Sequence, residues 1–595
     1  MSDACESAGT GADVDPTLAR LGRVAADVFG WDELRPGQAE AMRQVLRGRD
    51  TLVVMPTGAG KSAVYQVPAV LLPGPAVVVS PLVALQRDQV EGLSESDAPD
   101  AVAVNSDQAA GETAEAWRAV HEGDAEYLLL SPEQLAKDEV VERLARTGPS
   151  LFVVDEAQCV SSWGHDFRPD YLRLGHVVER LDRPTVLALT ATAAPPVREE
   201  IVERLGMADP ARIVAGFDRP NLRLEVRSFR DDEEKRRAVA ERAAEEPKPG
   251  IVYTATRREA EEYAARLTEL GLSAVAYHAG LRAAERSRAH DAFLDGELDV
   301  VVATSAFGMG IDKPDVRFVL HASVPGSPDA YYQEIGRAGR DGAPASAALH
   351  YRPEDLGLRR FFSGGRPRTK TLADVAARIR RHGAPLSTAR LRELTGLSAN
   401  RLTAAVNLLE EAGAVTTTAD GELLPAGDLR PKEAAERAVE AAETRRRLER
   451  SRLEMMRGYA ETAGCRRRFL LGYFGEEYEP PCGNCDICLA EERREEGREE
   501  FERLARERDD HGGEAPRPDA GRFRTGARVL HREWGEGLVM SEEEDRVTVL
   551  FDTVGYRALS LEAVVGQGLL TLADENADGA GGADGAGGGA EEGGG

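Results

Sequence analysis

The sequence has little of the features that mark membrane, secreted or fibrous proteins. Its longest apolar stretch, residues 64–85, is interrupted by Pro68, Pro73, Pro75 and Pro81, so it cannot form the continuous helix of about 20 residues that crosses a membrane. The first residues have neither a basic start nor an apolar core, and we therefore expect no secretion signal and a cytoplasmic location. Six cysteines in 595 residues are too few for a disulfide scaffold.

Basic residues are also scarce relative to acidic ones. The chain has 75 Lys and Arg against 103 Asp and Glu, a net charge of −28, which taken alone argues against a nucleic-acid partner. Two segments are nevertheless locally basic: residues 359–381 hold eight bases and one acid, and residues 443–468 hold nine Arg and four Glu. One such run is typical of a solvated helix face. The excess of Arg over Lys, with many Ala and Gly residues, indicates a GC-rich bacterial genome.

The first 350 residues or so alternate between short β-branched runs, such as TLVVM (51–55) and LFVVD (151–155), and helical patterns. Near-continuous apolar strands that alternate with helices predict a parallel sheet covered on both faces. The stretch is too long for one sheet, and FDRPN (217–221) separates its halves. The predicted fold class is therefore α/β, with two tandem parallel-sheet domains over 16–216 and 217–362.

The remaining chain predicts smaller units. Residues 366–430 read as helix, Gly turn, helix and hairpin, which is winged-helix patterning, and this pattern serves DNA binding and protein docking alike. Residues 431–490 are helical and end in a cysteine cluster, and 491–520 read as a charged helix and linker. Residues 521–570 alternate apolar and polar side chains around Gly turns, which predicts a small β-barrel, and we expect disordered tails at 1–15 and 571–595.

A glycine-rich loop, MPTGAGKS (55–62), follows a predicted strand and precedes a helix. Its glycines let backbone N–H groups surround phosphate oxygens, its lysine supplies a point charge, and its Ser hydroxyl can hold Mg²⁺. Met55 stands where the usual pattern has its first glycine. The predicted phosphate-binding residues for ATP are Thr57, Gly58, Gly60, Lys61 and Ser62.

Two further motifs carry acids and arginines. VVDEAQ (153–158) places Asp155 where it would hold the magnesium ion and Glu156 where it would orient and deprotonate the attacking water. YYQEIGRAGRDG (331–342) presents Gln333, Arg337 and Arg340 around glycines. Arginines of the second domain can reach a γ-phosphate bound on the first, which predicts a clamp that opens and closes with ATP.

The cysteines are informative through their spacing, C-x16-C-x2-C-x2-C. Four thiolates complete a closed tetrahedral Zn²⁺ site, although an iron–sulfur cluster can use the same ligands. A lone cysteine, Cys159, is expected to be a small buried hydrophobic residue. The predicted ligands are Cys465, Cys482, Cys485 and Cys488.

The ordered motifs together resemble the RecQ family of DNA helicases. They include FGWDELRPGQ (29–38), MPTGAGKS, DEAQCVSSWGHDFRPDY (155–171), LTATA (189–193), YHAGL (277–281) and YYQEIGRAGRDG, and the resemblance resumes at 440–488. It implies two RecA-like domains, zinc at the four cysteines, and ATP-driven 3′→5′ movement along single-stranded DNA. It also implies duplex unwinding in DNA repair or recombination.

The resemblance further implies roles for individual residues. Gln38 would read the adenine edge, with Arg35 and Trp31 nearby, and Asp312 would face the nucleotide cleft. Arg340 would be the arginine finger, with Arg337 beside it. Residues that would contact DNA or couple it to ATP are Trp163, His165, Phe167 and Arg168 of an aromatic-rich loop, with Thr190 and Thr192 of LTATA.

The chain departs from the family pattern in two ways. Gln158 stands where the family usually has His after DEA, and the winged-helix pattern precedes the zinc segment instead of following it. The C-terminal GARVLHREWGEGLV resembles the SH3-like barrel that ends UvrD/PcrA-type helicases, which suggests a protein partner there. Two other functions compete with a helicase: a DNA-binding scaffold without turnover, and a translocase that remodels RNA or protein–DNA complexes without separating strands.

Overall fold

The computed structural model describes residues 15–105, 108–161, 169–308, 313–357, 368–418, 422–510, 523, 526–542, 546–551, 553–561, 564 and 569–572. The chain divides into two compact units, Met1–Glu495 and Glu496–Gly595. Among the described residues, no helix is both long and apolar enough to cross a membrane.

The first domain is a seven-stranded parallel sheet with helices on both faces. Its strands are β1 Thr51–Val54, β2 Ala76–Val79, β3 Asp100–Val104, β4 Ala125–Leu130, β5 Leu151–Val154, β6 Thr185–Thr190 and β7 Ala211–Val214. Its helices are α1 Pro16–Phe29, α2 Pro36–Leu46, α3 Ala63–Ala69, α4 Val83–Ser94, α5 Ala110–Glu122, α6 Asp138–Thr147, α7 Leu174–Arg180 and α8 Pro195–Arg204. The strand order is β3-β4-β2-β5-β6-β1-β7.

Strand β1 shows why these strands are apolar along their whole length. Leu52 and Val54 belong to one hydrophobic cluster, whereas Val53 between them belongs to another. Alternate side chains of a strand point to opposite faces, so helices cover both faces of the sheet. This confirms the predicted α/β class.

The second domain repeats this construction with a six-stranded parallel sheet. Its strands are β8 Leu222–Ser228, β9 Gly250–Tyr253, β10 Ala274–Tyr277, β11 Val300–Ala303, β12 Phe318–His321 and β13 Ala345–Tyr351, in the order β10-β11-β9-β12-β13-β8. Its helices are α9 Asp232–Glu245, α10 Arg257–Glu269, α11 Ala283–Leu294 and α12 Pro328–Ile335. The segment 217–221, predicted as the joint, lies between β7 of the first sheet and β8 of the second.

A winged-helix-like region follows and packs on a long helix. Its elements are α13 Thr369–His382, β14 Leu386–Ser387, α14 Thr388–Thr395, α15 Ala399–Glu411, β15 Val415–Thr417 and β16 Glu422–Pro425. The next helix, α16 Pro431–Glu461, has 31 residues. Its first turns, at Ala435 and Ala438, complete the core of the winged-helix-like region. Its last turns, at Met456 and Tyr459, join the large cluster shared with the α/β domains. One helix therefore connects both cores.

The cysteine segment and the C-terminal unit complete the fold. Cys465 lies at the start of helix α17 Arg466–Tyr473, and Cys482 and Cys485 precede helix α18 Asp486–Asp510, which contains Cys488. The second unit contains a five-stranded antiparallel sheet in the order β20-β19-β18-β17-β21, a half-barrel with Phe551 in its core. Its strands are β17 Arg528–His531, β18 Gly535–Glu542, β19 Arg546–Phe551, β20 Gly555–Ser560 and β21 Leu570–Leu572.

Candidate active site

Three neighbouring strands of the first sheet bring the predicted catalytic motifs together. β6 lies between β1 and β5 and pairs with both in parallel. The loop 55–62 follows β1, the pair Asp155 and Glu156 follows β5, and LTATA begins at the end of β6. Because parallel strands end at the same sheet edge, the phosphate loop and the acid pair share one cleft.

The phosphate loop has the backbone that its glycines allow. Gly58 and Gly60 have φ values of +79° and +74°, in the left-handed region that side chains rarely adopt. The Nζ of Lys61 donates to the carbonyl oxygen of Met55 at 3.3 Å, so the ammonium lies over its own loop. Oγ1 of Thr57 is buried and has no hydrogen-bond partner among the described residues. A bound phosphate could supply that partner.

Two of the residues predicted to lie near adenine, Gln38 of helix α2 and Arg35 just before it, hydrogen-bond to this loop. Nε2 of Gln38 donates to two loop carbonyl oxygens, of Ala59 and Gly60, each at 2.9 Å. Nη1 of Arg35 donates to the carbonyl oxygen of Gly58 at 3.0 Å. The Trp31 ring stacks on Phe29 with centroids 4.8 Å apart. Gln38 and Arg35 therefore touch the phosphate loop directly.

Burial and a neighbouring carboxylate disfavour the charged form of Asp155 in the acid pair. Desolvation, and then the negative charge of Glu156, raise the pKa of Asp155 to about 6, whereas Lys61 lowers it. Glu156 has a φ of 49°, a backbone conformation that non-glycine residues adopt at a cost of about 1–3 kcal/mol and that is concentrated at functional sites. A divalent cation would relieve the crowding of the two carboxylates. Oxygen donors on Asp155 and Ser62 fit Mg²⁺ chemically.

Gln158 connects the acid pair to LTATA. Its Nε2 donates to Oε2 of Glu156 at 2.8 Å, and its Oε1 accepts from the Thr190 hydroxyl at 2.6 Å. The backbone N–H of Thr192 in turn donates to Oγ1 of Thr190 at 3.1 Å. The neutral amide thus forms both hydrogen bonds simultaneously, and Gln158 is only 1% exposed.

One of the two predicted arginines of the second domain reaches the phosphate loop of the first. A Cβ built on Gly58 would lie 3.2 Å from Cγ of Arg340, so this side chain lies directly against the loop backbone. Arg337 is buried beside Tyr253, and its Nε has no partner among the described residues. Gln333 is half-buried on α12. Of the two arginines, Arg340 is the one placed on the phosphate loop.

Two residues of the interdomain joint hold the arginine loop, and no sequence motif marks either of them. Nη2 of Arg219 donates to the carbonyl oxygens of Ala338 and Gly339 at 2.9 and 2.8 Å. Nδ2 of Asn221 donates to Gly339 at 2.8 Å as well. Both belong to FDRPN, whose arginine and amide could have indicated backbone contacts. The joint therefore fixes the loop that carries Arg337 and Arg340.

Five predicted residues fall outside the described part of the chain. They are Trp163, His165, Phe167, Arg168 and Asp312. Ser161, the described residue that precedes 162–168, is buried, and its hydroxyl donates to Glu200 of α8.

The four cysteines converge, as their spacing predicts. Their sulfur atoms all lie within 4.8 Å of one another. Backbone N–H groups of Asn484 and Cys488 donate to Sγ of Cys482 and Cys485 at 3.4 and 3.5 Å, and such hydrogen bonds orient thiolates that bind a metal. The donor set and its closeness fit a structural zinc ion. Cys159 lies apart and is fully buried in the core.

These features define a class of protein: a nucleotide-binding protein with two RecA-like domains and an appended cysteine site. Three family models match the chain, namely DEAD/DEAH box helicase at 35–201, Helicase conserved C-terminal domain at 234–342 and RecQ zinc-binding at 429–489. A probable ATP-dependent DNA helicase RecS of Bacillus subtilis is 34% identical over 476 residues, which cover 79% of this chain and 92% of RecS. The ATP-dependent DNA helicase RecQ of the same organism is 34% identical over 474 residues, covering 79% of this chain and 67% of that protein.

The chain belongs to the RecQ family of ATP-dependent DNA helicases. Among solved structures, a crystal structure of the DUF1998 helicase MrfA bound to DNA resembles it with a TM-score of 0.50 and 17% identity, over 71% of this chain and 64% of that one. At that identity the likeness concerns the fold alone.

Proposed function

We propose that this helicase hydrolyses ATP to move 3′→5′ along single-stranded DNA and to separate duplex DNA, in repair or recombination. The observation that supports this most is the position of Arg340 of the second domain against Gly58 of the first. A motor of this kind requires a nucleotide site that both domains complete, because hydrolysis must change the distance between them. Membership of the RecQ family supports the nucleic-acid substrate.

Each site residue then has a part in the proposed cycle. Lys61 and the loop N–H groups bind the phosphates, and Ser62 and Asp155 would hold Mg²⁺, which neutralises phosphate charge. Glu156 accepts a proton from the attacking water, and Gln158 keeps that carboxylate oriented. Arg340 stabilises charge that develops on the γ-phosphate. The adenine-side residues are Gln38, Arg35 and Trp31.

The DNA-contacting assignments are proposals of the same kind. The aromatic-rich loop residues Trp163, His165, Phe167 and Arg168 would stack on or pair with single-stranded DNA, and Thr190 and Thr192 would report DNA occupancy to the acid pair. Asp312 would face the nucleotide. The four cysteines would hold zinc as a structural ion that stabilises their segment. A protein partner at the C-terminal half-barrel and an association with the bacterial nucleoid are further proposals.

ATP hydrolysis measured with and without single-stranded DNA, duplex DNA and RNA tests the motor assignment. DNA should stimulate wild-type hydrolysis, and Lys61→Ala should reduce it to below about a tenth while DNA binding persists, since the lysine contacts phosphate and not DNA. Arg258→Ala is a matched control, because Arg258 is exposed on α10 and pairs with Glu262. Lys61→Ala protein with wild-type hydrolysis would contradict the proposal. Stimulation by RNA alone would favour the remodelling alternative.

A further inference from the structure

Arg198 of helix α8 contacts two segments, LTATA and the cysteine segment. Nε of Arg198 donates to the carbonyl oxygen of Ala193, the last residue of LTATA, at 2.8 Å. Nη2 of the same guanidinium donates to the carbonyl oxygen of Phe474 at 2.7 Å. A single planar side chain thus joins two backbone segments that are nearly 300 residues apart in sequence.

The Phe474 side of this bridge depends on the cysteine site. Phe474 lies within the sixteen residues between Cys465 and Cys482, so the ion held by the cysteines would close the loop that presents this carbonyl. The Phe474 ring is fully buried and stacks on Phe217 of the joint, with centroids 4.5 Å apart. The Phe217 N–H donates to Glu476 of the same loop. The cysteine segment therefore contacts the joint as well as α8.

The Ala193 side of the bridge leads to the acid pair. Ala193 is fully buried and directly follows Thr192, whose N–H donates to Oγ1 of Thr190. The Thr190 hydroxyl donates to Gln158, and Gln158 donates to Glu156. A continuous series of hydrogen bonds and one peptide segment thus runs from Arg198 to the carboxylate that activates water.

The second domain meets the bridge at the same place. Phe217 is 2% exposed, and the Arg198 guanidinium lies 5.6 Å from its ring centroid. The hydroxyl of Tyr332, on the helix leading to the arginine loop, donates to the Phe217 carbonyl oxygen at 2.7 Å. Desolvation at this junction lowers the pKa of Arg198, as burial of a charged group does.

We propose that Arg198 is a positioning residue through which the cysteine segment holds LTATA, and thereby Glu156, in the geometry for ATP hydrolysis. The inference rests on the proposed function. Among the described residues, the Arg198 side chain contacts Ala193, Phe474 and Phe217 and none of the predicted phosphate-binding side chains, so its loss should affect turnover more than nucleotide binding. Its side chain contacts three segments, namely LTATA, the cysteine segment and the interdomain joint, and holds them in one relative position.

Steady-state ATP hydrolysis with saturating single-stranded DNA tests this inference. Arg198→Gln should lower kcat by about threefold to thirtyfold, the range of couplings carried by packed networks, with the KM for ATP within about twofold of wild type. Arg198→Lys keeps the charge but cannot donate to both carbonyls in a fork, and should also lower kcat. Glu199→Gln is the matched control, because Glu199 neighbours Arg198 on α8 but hydrogen-bonds to Arg212 at the exposed surface.

A double-mutant cycle distinguishes positioning from general stabilisation. Thr190→Val cuts the series of hydrogen bonds, so adding Arg198→Gln to it should lower kcat little further. Fully multiplicative effects would overturn the inference, as would an unchanged kcat in folded Arg198→Gln protein. Loss of zinc content or a large fall in Tm that parallels kcat in both Arg198 variants would identify a merely structural contact and overturn it too. A wild-type protein without ATP hydrolysis would contradict the proposed function itself.

Discussion

The side-chain amide of Gln158 donates a hydrogen bond to the Glu156 carboxylate at 2.8 Å, at the position where the RecQ pattern has a histidine. The same amide accepts from Thr190 at 2.6 Å. An amide has one donor group and one acceptor atom in fixed relation, and it cannot change charge with pH. The Gln158 side chain in this link therefore keeps the same charge over the whole physiological pH range.

Removing this link should reduce turnover. We expect Gln158→Leu to lower kcat for DNA-stimulated ATP hydrolysis about tenfold, because Glu156 loses its orienting donor and the Thr190 hydroxyl loses its acceptor. The KM for ATP should change little. Gln158→His should retain more activity than Gln158→Leu. Its kcat should depend on pH with an apparent pKa of about 6.5, that of an ordinary histidine. Wild-type kcat in Gln158→Leu would show that the amide has no part in hydrolysis.

The cysteine site should contain metal in the purified protein. We expect about one zinc per chain by elemental analysis, and we expect Cys482→Ser to lose the metal and destabilise residues 440–490, because metal binding contributes folding energy. Limited proteolysis would detect the exposed segment. Cys159→Ser should keep its metal, since Cys159 lies away from the cluster. Iron, or no metal at all in fresh wild-type protein, would contradict the zinc assignment.

A buried histidine of the second domain should make stability depend on pH. Burial, and then the charge of Arg227, lower the pKa of His350 to about 3, and its ring stacks on Phe229. Below a pH of about 6.5 the unfolded chain takes up a proton that the folded chain does not, so stability falls as the pH decreases from there towards about 3.

His350→Gln removes this contribution. The difference in Tm between wild type and variant should therefore shift in favour of the variant as the pH is lowered from 7 to 5, in thermal unfolding followed at several pH values. Because only the difference between the proteins is compared, other titrating groups largely cancel. A difference in Tm that stays constant across this range would show that His350 is protonated to the same extent in both states.

The sequence was sufficient for those parts of the fold that depend on local pattern. β1, β2, β5, β9 and β11 are buried along their whole length, and β6 is buried except at its first residue, Thr185, so their apolar runs predicted them. β7 and β10, in contrast, are partly exposed, and they were not singled out. The four cysteines were predictable because three of them lie within seven residues, and a shared metal explains that spacing.

The contacts that organise the cleft were not predictable in the same way. That Gln158 meets Thr190 depends on the pairing of β5 with β6, and that Arg198 meets Phe474 depends on how the cysteine loop packs against α8. Arg219 and Asn221 act through backbone carbonyls, which every residue has, so no sequence pattern marks their partners. Residue type indicates chemistry, whereas these partners follow from tertiary packing.

If ATP hydrolysis drives the proposed 3′→5′ movement along DNA, unwinding must depend on the polarity of the single-stranded tail. Unwinding should be measured on duplexes with a single-stranded 3′ tail, a single-stranded 5′ tail or blunt ends, with ATP and with a non-hydrolysable analogue. We expect ATP-dependent strand separation of the 3′-tailed duplex and little or none of the other two. Unwinding that requires a 5′ tail, or strand separation that proceeds without hydrolysis, would contradict it.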